Sequence, residues 1–252
     1  SGRRRASQII REVNVPTSFA GFPKEMATFF RGLKRNNRRE WFQPRKNVFE
    51  SHVKEPMTKL VEALNGELTK FAPHYVTDPK KAIFRIYRDT RFSPDKTPYK
   101  THIAASFKRR GGEHMAVSGF YFSVSSDQIE IAGGIYHPAP DITLLVRTHI
   151  AANYEDLRRI LADKALRRCM GALQGDELTR APKGFDPAHP AIDLIRKKDW
   201  ILDRELDPSL AATPRLHREI AVCFRAMMPL IEFLNRPLLR DRPAKKLRDY
   251  LS

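Results

Sequence analysis

Only two cysteines, Cys169 and Cys223, occur among 252 residues, and neither belongs to a Cys-x-x-Cys or Cys/His pattern. Neither a zinc site nor a disulfide framework is indicated by that spacing. The pair reads as buried free thiols in apolar helical surroundings, and no low-pKa thiolate is expected of either. No apolar run approaches the roughly 18 to 20 residues that a membrane span needs, and no secretory h-region opens the chain. A cytoplasmic protein is expected.

Nucleotide and hydrolase signatures are absent as well. No Gly-x-Gly-x-x-Gly opens a helix, and no Walker A sequence, Gly-x-Ser-x-Gly elbow or His-Glu-x-x-His occurs. The paired acids Asp89 and Asp95 lack the further ligands of a magnesium site. No metal and no cofactor is expected.

Acidic residues are also scarce, 29 against 46 Lys and Arg, which leaves a formal net charge of +17. A surplus of that size creates a field that attracts polyanions: nucleic acid, acidic lipid or phosphorylated metabolites. Charge alone names no partner. Apolar residues make up 41% of the chain and are spread along it, enough for a real core in one large domain. Residues 1–15 read as a basic tail, 16–235 as the folded domain and 236–252 as a basic extension.

Within the domain, Met26, Phe29, Phe30 and Leu33 recur at helical spacing after Pro23, and Phe49 to Phe71 continues that period in a helix that Pro56 is expected to kink or split. From Ala82 the period becomes two, with Phe84 and Ile86, then Phe120, Phe122 and Val124, then Ile129 and Ile131. These predict strands, with Ser125-Ser126-Asp127 turning a hairpin over 118–136, another strand over 101–109, and Gly111-Gly112 turning out of it. Helical spacing returns after Pro140 and ends in a long helix from Leu216 to Leu234 that Pro229 is expected to bend. The fold class is α+β: N-terminal helices, a mainly antiparallel central sheet of four or more strands, and C-terminal helices packed on it.

One block stands out: Arg85-Ile-Tyr-Arg-Asp-Thr-Arg-Phe-Ser-Pro-Asp-Lys-Thr-Pro-Tyr-Lys-Thr-His102. Ser93-Pro94 and Thr97-Pro98 force an extended or turned path, because the residue before proline avoids helical geometry. Arg85, Arg88, Arg91, Lys96 and Lys100 then form a cation-rich surface loop suited to phosphate or carboxylate, with Arg as a bidentate fork and Lys as a point charge. Interleaved Tyr87, Phe92 and Tyr99 offer stacking platforms of the kind that bind single-stranded nucleic acid. An internal salt-bridge network through Asp89 and Asp95 fits the same residues. Asp89, Tyr99 and His102 are the candidates for proton chemistry, should the loop hold a small substrate.

Elsewhere, Asn36-Asn37-Arg38-Arg39-Glu40-Trp41-Phe42 reads either as helix capping with core packing or as part of a basic groove. Gly133-Gly134-Ile-Tyr136 marks a bulge or a close approach of backbone. With these residues laid out, the chain resembles DUF2461, a family of conserved proteins of unknown function. The likeness rests on Asn36-Asn37-x-x-x-Trp41-Phe42, Phe84-Arg85-x-x-Arg88-Asp89-x-Arg91-Phe92-Ser93-x-Asp95-Lys96-x-Pro98-Tyr99-Lys100, Gly133-Gly134-x-Tyr136, Arg147 and Pro182-Lys183-Gly184. It spans roughly 19–235 and brings no activity with it. Three readings therefore stand: a binder of nucleic acid or another phosphate-bearing ligand, an enzyme holding a small phosphorylated or carboxylated substrate with the same cations, and a scaffold in which the block is structural. Asn37, Trp41, Asp95, Gly133, Gly134, Tyr136 and Arg147 support the site in the first two.

Overall fold

Pro23, fixed near φ −68°, leads the chain into α1 (Lys24–Arg35), whose Met26, Phe29, Phe30 and Leu33 are all buried while Lys34 and Arg35 complement the dipole at its last turn. Each such large apolar side chain is worth roughly 1.5–3 kcal/mol on burial, so this stripe alone docks the helix. The computed structural model describes residues 19–109 and 118–239. The expected basic tail, the Gly111-Gly112 turn and the extension from 240 onward lie outside them.

Two short helices, α2 (Arg39–Phe42) and α3 (Lys46–Phe49), lead through a π-helical turn at Glu50–Lys54 into α4 (Glu55–Phe71). The widened turn ends just before Pro56. Proline has no N–H to donate, and its ring crowds the carbonyl four residues back, so the ladder loosens there. Of the kink or split expected at Pro56, the split is what occurs, as a π-helical turn between α3 and α4.

A single turn, α5 (Pro79–Ala82), is capped by the Asp78 carboxylate, which accepts from the Lys80 N–H. The strand expected over 82–86 is not a regular one. Ile83 and Ala105 form an isolated bridge, the Phe84 N–H donates to the Ala104 carbonyl, and the chain then leaves the sheet edge.

The sheet itself consists of β1 (His102–Lys108), β2 (Gly119–Ser125), β3 (Ile129–Ile135) and β4 (Trp200–Leu206), in that spatial order and antiparallel throughout. Ser125 closes the β2–β3 turn, its hydroxyl donating to the Gln128 carbonyl and accepting from the Asp127 and Gln128 N–H groups. One face carries the rows Phe107, Phe120, Gly133, Leu202 and Ala105, Phe122, Ile131, Arg204. The other carries Ala104, Ser123, Glu130, Glu205 and Ser106, Tyr121, Ala132, Asp203. This alternation is the period-two signature of a half-buried sheet.

Helices α6 (Pro140–Ala152), α7 (Tyr154–Ala162) and α8 (Lys164–Met170) follow β3, and the short α9 (Ile192–Ile195) precedes β4. Closing the structure, α10 (Leu216–Asn235) packs against β3, α4, α7 and α8. Gly133 lets it approach: a Cβ there would occupy the space filled by the Met227 sulfur. Buried apolar residues from Phe19 to Leu234 form one continuous cluster that joins N-terminal helices, sheet and C-terminal helices. Among the described residues no helix is long and apolar enough to cross a membrane.

Candidate functional site

The block after α5 doubles back on itself. The Arg88 N–H donates to the Pro98 carbonyl at 2.9 Å, the Lys100 N–H donates to the Ile86 carbonyl at 2.8 Å, and Tyr87 bridges Tyr99. Prolines 94 and 98 supply the extended geometry of the returning limb. The result is an irregular hairpin whose tip, 89–97, leaves the edge of β1.

Asn37 anchors its base. The Asn37 Nδ2 donates to the Tyr99 carbonyl at 2.8 Å, and the Tyr99 N–H donates to Asn37 Oδ1 at 3.1 Å, so the amide acts as one more strand residue. Phe42 then stacks on the Tyr99 ring, centroids 4.3 Å apart, and Tyr87 tilts against it at 5.4 Å. Trp41 packs against Phe29 at 5.7 Å over the surface of Gly32. The segment 36–42 thus caps and packs, and it also positions the block.

Inside the hairpin the cations divide into two groups. Arg88 pairs with the Asp95 carboxylate and the Thr97 hydroxyl, and the Thr97 N–H donates to Asp95 at 2.9 Å. These contacts hold the Asp95 carboxyl at about 2. Arg91 clasps Asp89 with two bonds, 3.0 Å from Nε and 2.7 Å from Nη2, which keeps that carboxyl below its ordinary value. Arg85, Lys96 and Lys100 have no carboxylate partner among the described residues. Lys96 donates to the Thr90 carbonyl at 2.9 Å. Lys100 lies 4.9 Å from the centre of the Phe84 ring, and burial, then the charge of Arg85, lowers its pKa.

The aromatics divide as well. Tyr99 is buried, and burial raises its phenol pKa, whereas Phe84, Tyr87 and Phe92 are exposed. Phe92 is 93% exposed at the tip, with the Arg91 guanidinium 5.7 Å from its ring. Placing a phenylalanine in water at the end of a loop gives nothing to the core. Exposure at this position is what spacing in the sequence does not reveal.

His102 begins β1, half-buried opposite Ser125; burial and the Lys100 charge lower its pKa, which favours the neutral imidazole. Gly133, Gly134, Tyr136 and Arg147 are not gathered with the block. Gly134 takes φ 126° with its Cα against the Trp200 carbonyl, Tyr136 is exposed beside His137, and Arg147 Nη2 donates to the Lys197 carbonyl at 3.0 Å. These residues brace β3 and α6 to the entry of β4. Two strand spacings, about 10 Å, separate β3 from β1, on whose outer edge the block sits.

No group of three or more His, Cys, Asp or Glu side chains suited to a metal occurs among the described residues. What the block assembles is a cationic strip with projecting aromatic rings, its shape fixed by two internal ion pairs. No curated protein matches the chain. A family model described as a conserved hypothetical protein (DUF2461) matches residues 25–233.

Proposed function

The chain belongs to the DUF2461 family, whose description carries no activity, and we propose that it binds a polyanion, nucleic acid or another phosphate-bearing ligand, through the face of residues 84–100. The observation that carries this reading is Phe92, 93% exposed between cations on a loop that is otherwise braced. Phosphates would meet Arg85, Lys96 and Lys100, none of which is in ion-pair contact with a carboxylate of the hairpin, while unpaired bases stack on Phe92 and Tyr87. Single-stranded nucleic acid suits that combination best, since a duplex keeps its base faces covered. Arg88 and Arg91 shape the strip rather than contact the ligand, because each is already held by an acid. A cytoplasmic setting is part of the proposal and suits the two unbonded cysteines.

The enzymatic alternative draws less support, since Arg88 and Arg91 are committed to Asp95 and Asp89 and the Tyr99 ring is packed under Phe42. Fluorescence anisotropy of the full chain with single- and double-stranded oligonucleotides at two salt concentrations tests the reading. Affinity is expected to fall steeply with salt, as each neutralised phosphate releases counterions, and to favour the single strand. Absence of salt-sensitive binding near physiological ionic strength would sink it.

A further inference from the structure

Arg204 lies on the core-facing side of β4, in register with Ile131 and Phe122, both fully buried. It is half-buried there without a carboxylate partner among the described residues. A cation in such a position needs an anion or a dipole to offset its lost hydration. Its Nη1 donates to the Cys169 carbonyl at 2.8 Å and lies 3.8 Å from the Cys169 sulfur and 3.9 Å from the Cys223 sulfur.

The two sulfurs share a hydrogen bond at 3.0 Å, about one ångström beyond a covalent S–S separation. Cys169 sits on α8 and Cys223 on α10, two helices that pack directly against each other. The two thiols differ in access and charge. Cys169 keeps 9% of its surface exposed and Cys223 only 1%. Glu219 stands one turn before Cys223 on α10, and its charge opposes a thiolate at Cys169, although Arg215 at 3.8 Å partly offsets it.

We propose that Cys169 and Cys223 are a peroxide-oxidisable thiol pair, in which the Cys169 sulfur attacks a hydroperoxide and Cys223 closes the product to a disulfide that ties α8 to α10. Cys169 thiolate attacks one peroxide oxygen, the O–O bond breaks, and the departing alkoxide or hydroxide takes up the proton that the thiol released. Cys169 is then a sulfenic acid. The Cys223 sulfur attacks that sulfur, the S–O bond breaks, and hydroxide leaves as water with the Cys223 proton. In sum, two thiols and one hydroperoxide give one disulfide, one alcohol or water, and one further water; the peroxide gains two electrons and each sulfur gives up one.

The electrostatics agree with the geometry. The Cys223 hydrogen bond and the Arg204 charge hold the Cys169 thiol below its ordinary range, while its neighbour and burial push Cys223 up. This differs from the expectation that neither thiol is activated. The cause is that Arg204, 35 residues beyond Cys169, is delivered by β4, a strand without an alternating signature.

The test uses the reduced full-length chain and hydrogen peroxide, followed by alkylation and peptide mapping by mass spectrometry without reductant. A linked Cys169–Cys223 peptide, two hydrogens lighter than the sum of its parts and reversed by dithiothreitol, is expected from the folded protein. Cys223→Ser is expected to carry a dimedone adduct on Cys169, at least about tenfold above the adduct on Cys223 in Cys169→Ser. Arg204→Met should slow the oxidation of Cys169 by a similar factor. Should both cysteines of the folded wild type stay fully alkylatable at peroxide levels that oxidise glutathione, or should dimedone fall on Cys223, the proposal is overturned. The wild-type map decides the question even where a variant folds poorly.

Discussion

Asn37 and Tyr99, 62 residues apart, exchange two hydrogen bonds at 2.8 and 3.1 Å, so that a side-chain amide completes the base of the block as a strand would. Asn37→Ala leaves both backbone groups of the buried Tyr99 without a partner. A loss of about 2 kcal/mol in urea denaturation is expected, with the block more open to proteolysis than the rest of the chain.

Asp95 ties the tip through Arg88 and Thr97, and its carboxyl titrates at about 2. Because the folded value is depressed, the stabilisation is present above the unfolded value near 3.9 and is lost as pH falls toward 2. The block is expected to loosen below about pH 4 while the core persists. Amide exchange at residues 88–97 reads this directly, and Asp95→Asn should show the loosened pattern already at pH 7.

Glu130 faces Glu205 across the strand pair, with Asp203 nearby, and burial followed by these charges raises its pKa. A raised carboxyl holds its proton longer in the folded state, so stability falls as pH rises from the unfolded value through the folded one. Glu130→Gln removes the repulsion. It is expected to stabilise the protein at neutral pH by roughly 0.2–1 kcal/mol and to match the wild type below pH 4, as read by thermal melts across pH.

Gly134 combines φ 126° with a Cβ position that overlaps the Trp200 carbonyl. Gly134→Ala is expected to cost about 2 kcal/mol or more, because both strain and backbone displacement fall on the β3–β4 ladder. Chemical denaturation against wild type checks it, and oligonucleotide affinity should hold wherever the variant is folded, since the block lies at the opposite sheet edge.

Much of this was legible in the chain. Met26, Phe29, Phe30 and Leu33 wrote α1 in a 3.6 period, and Phe120, Phe122 and Val124 wrote β2 in a period of two. The spacing over 82–86 reads as a strand because Phe84 and Ile86 alternate with polar neighbours, yet this segment meets the sheet only through the Ile83–Ala105 bridge and the Phe84 N–H bond to the Ala104 carbonyl. β4 carries no clear strand signature because Arg204 occupies a core-facing position where an apolar residue would have completed the alternation of Trp200, Leu202 and Leu206. At the site, the cations were visible and their division was not. Ion pairs of Asp89 and Asp95 with arginines, and a packed Tyr99, were among the readings the chain offered and are what the structure shows; the spacing does not say which arginine takes which acid, nor that Phe92 projects. Pairing and exposure follow from the path of the chain, which Asn37 and the two prolines set together.

Substituting Phe92 by alanine in the full chain tests the central claim most directly, because it alters no charge and touches no buried residue. Anisotropy with a single-stranded oligonucleotide at fixed salt is expected to show affinity reduced by about 5- to 150-fold, the worth of one stacked base, with the melting temperature unchanged. Wild-type affinity in Phe92→Ala would contradict the account and leave the block as a braced surface loop.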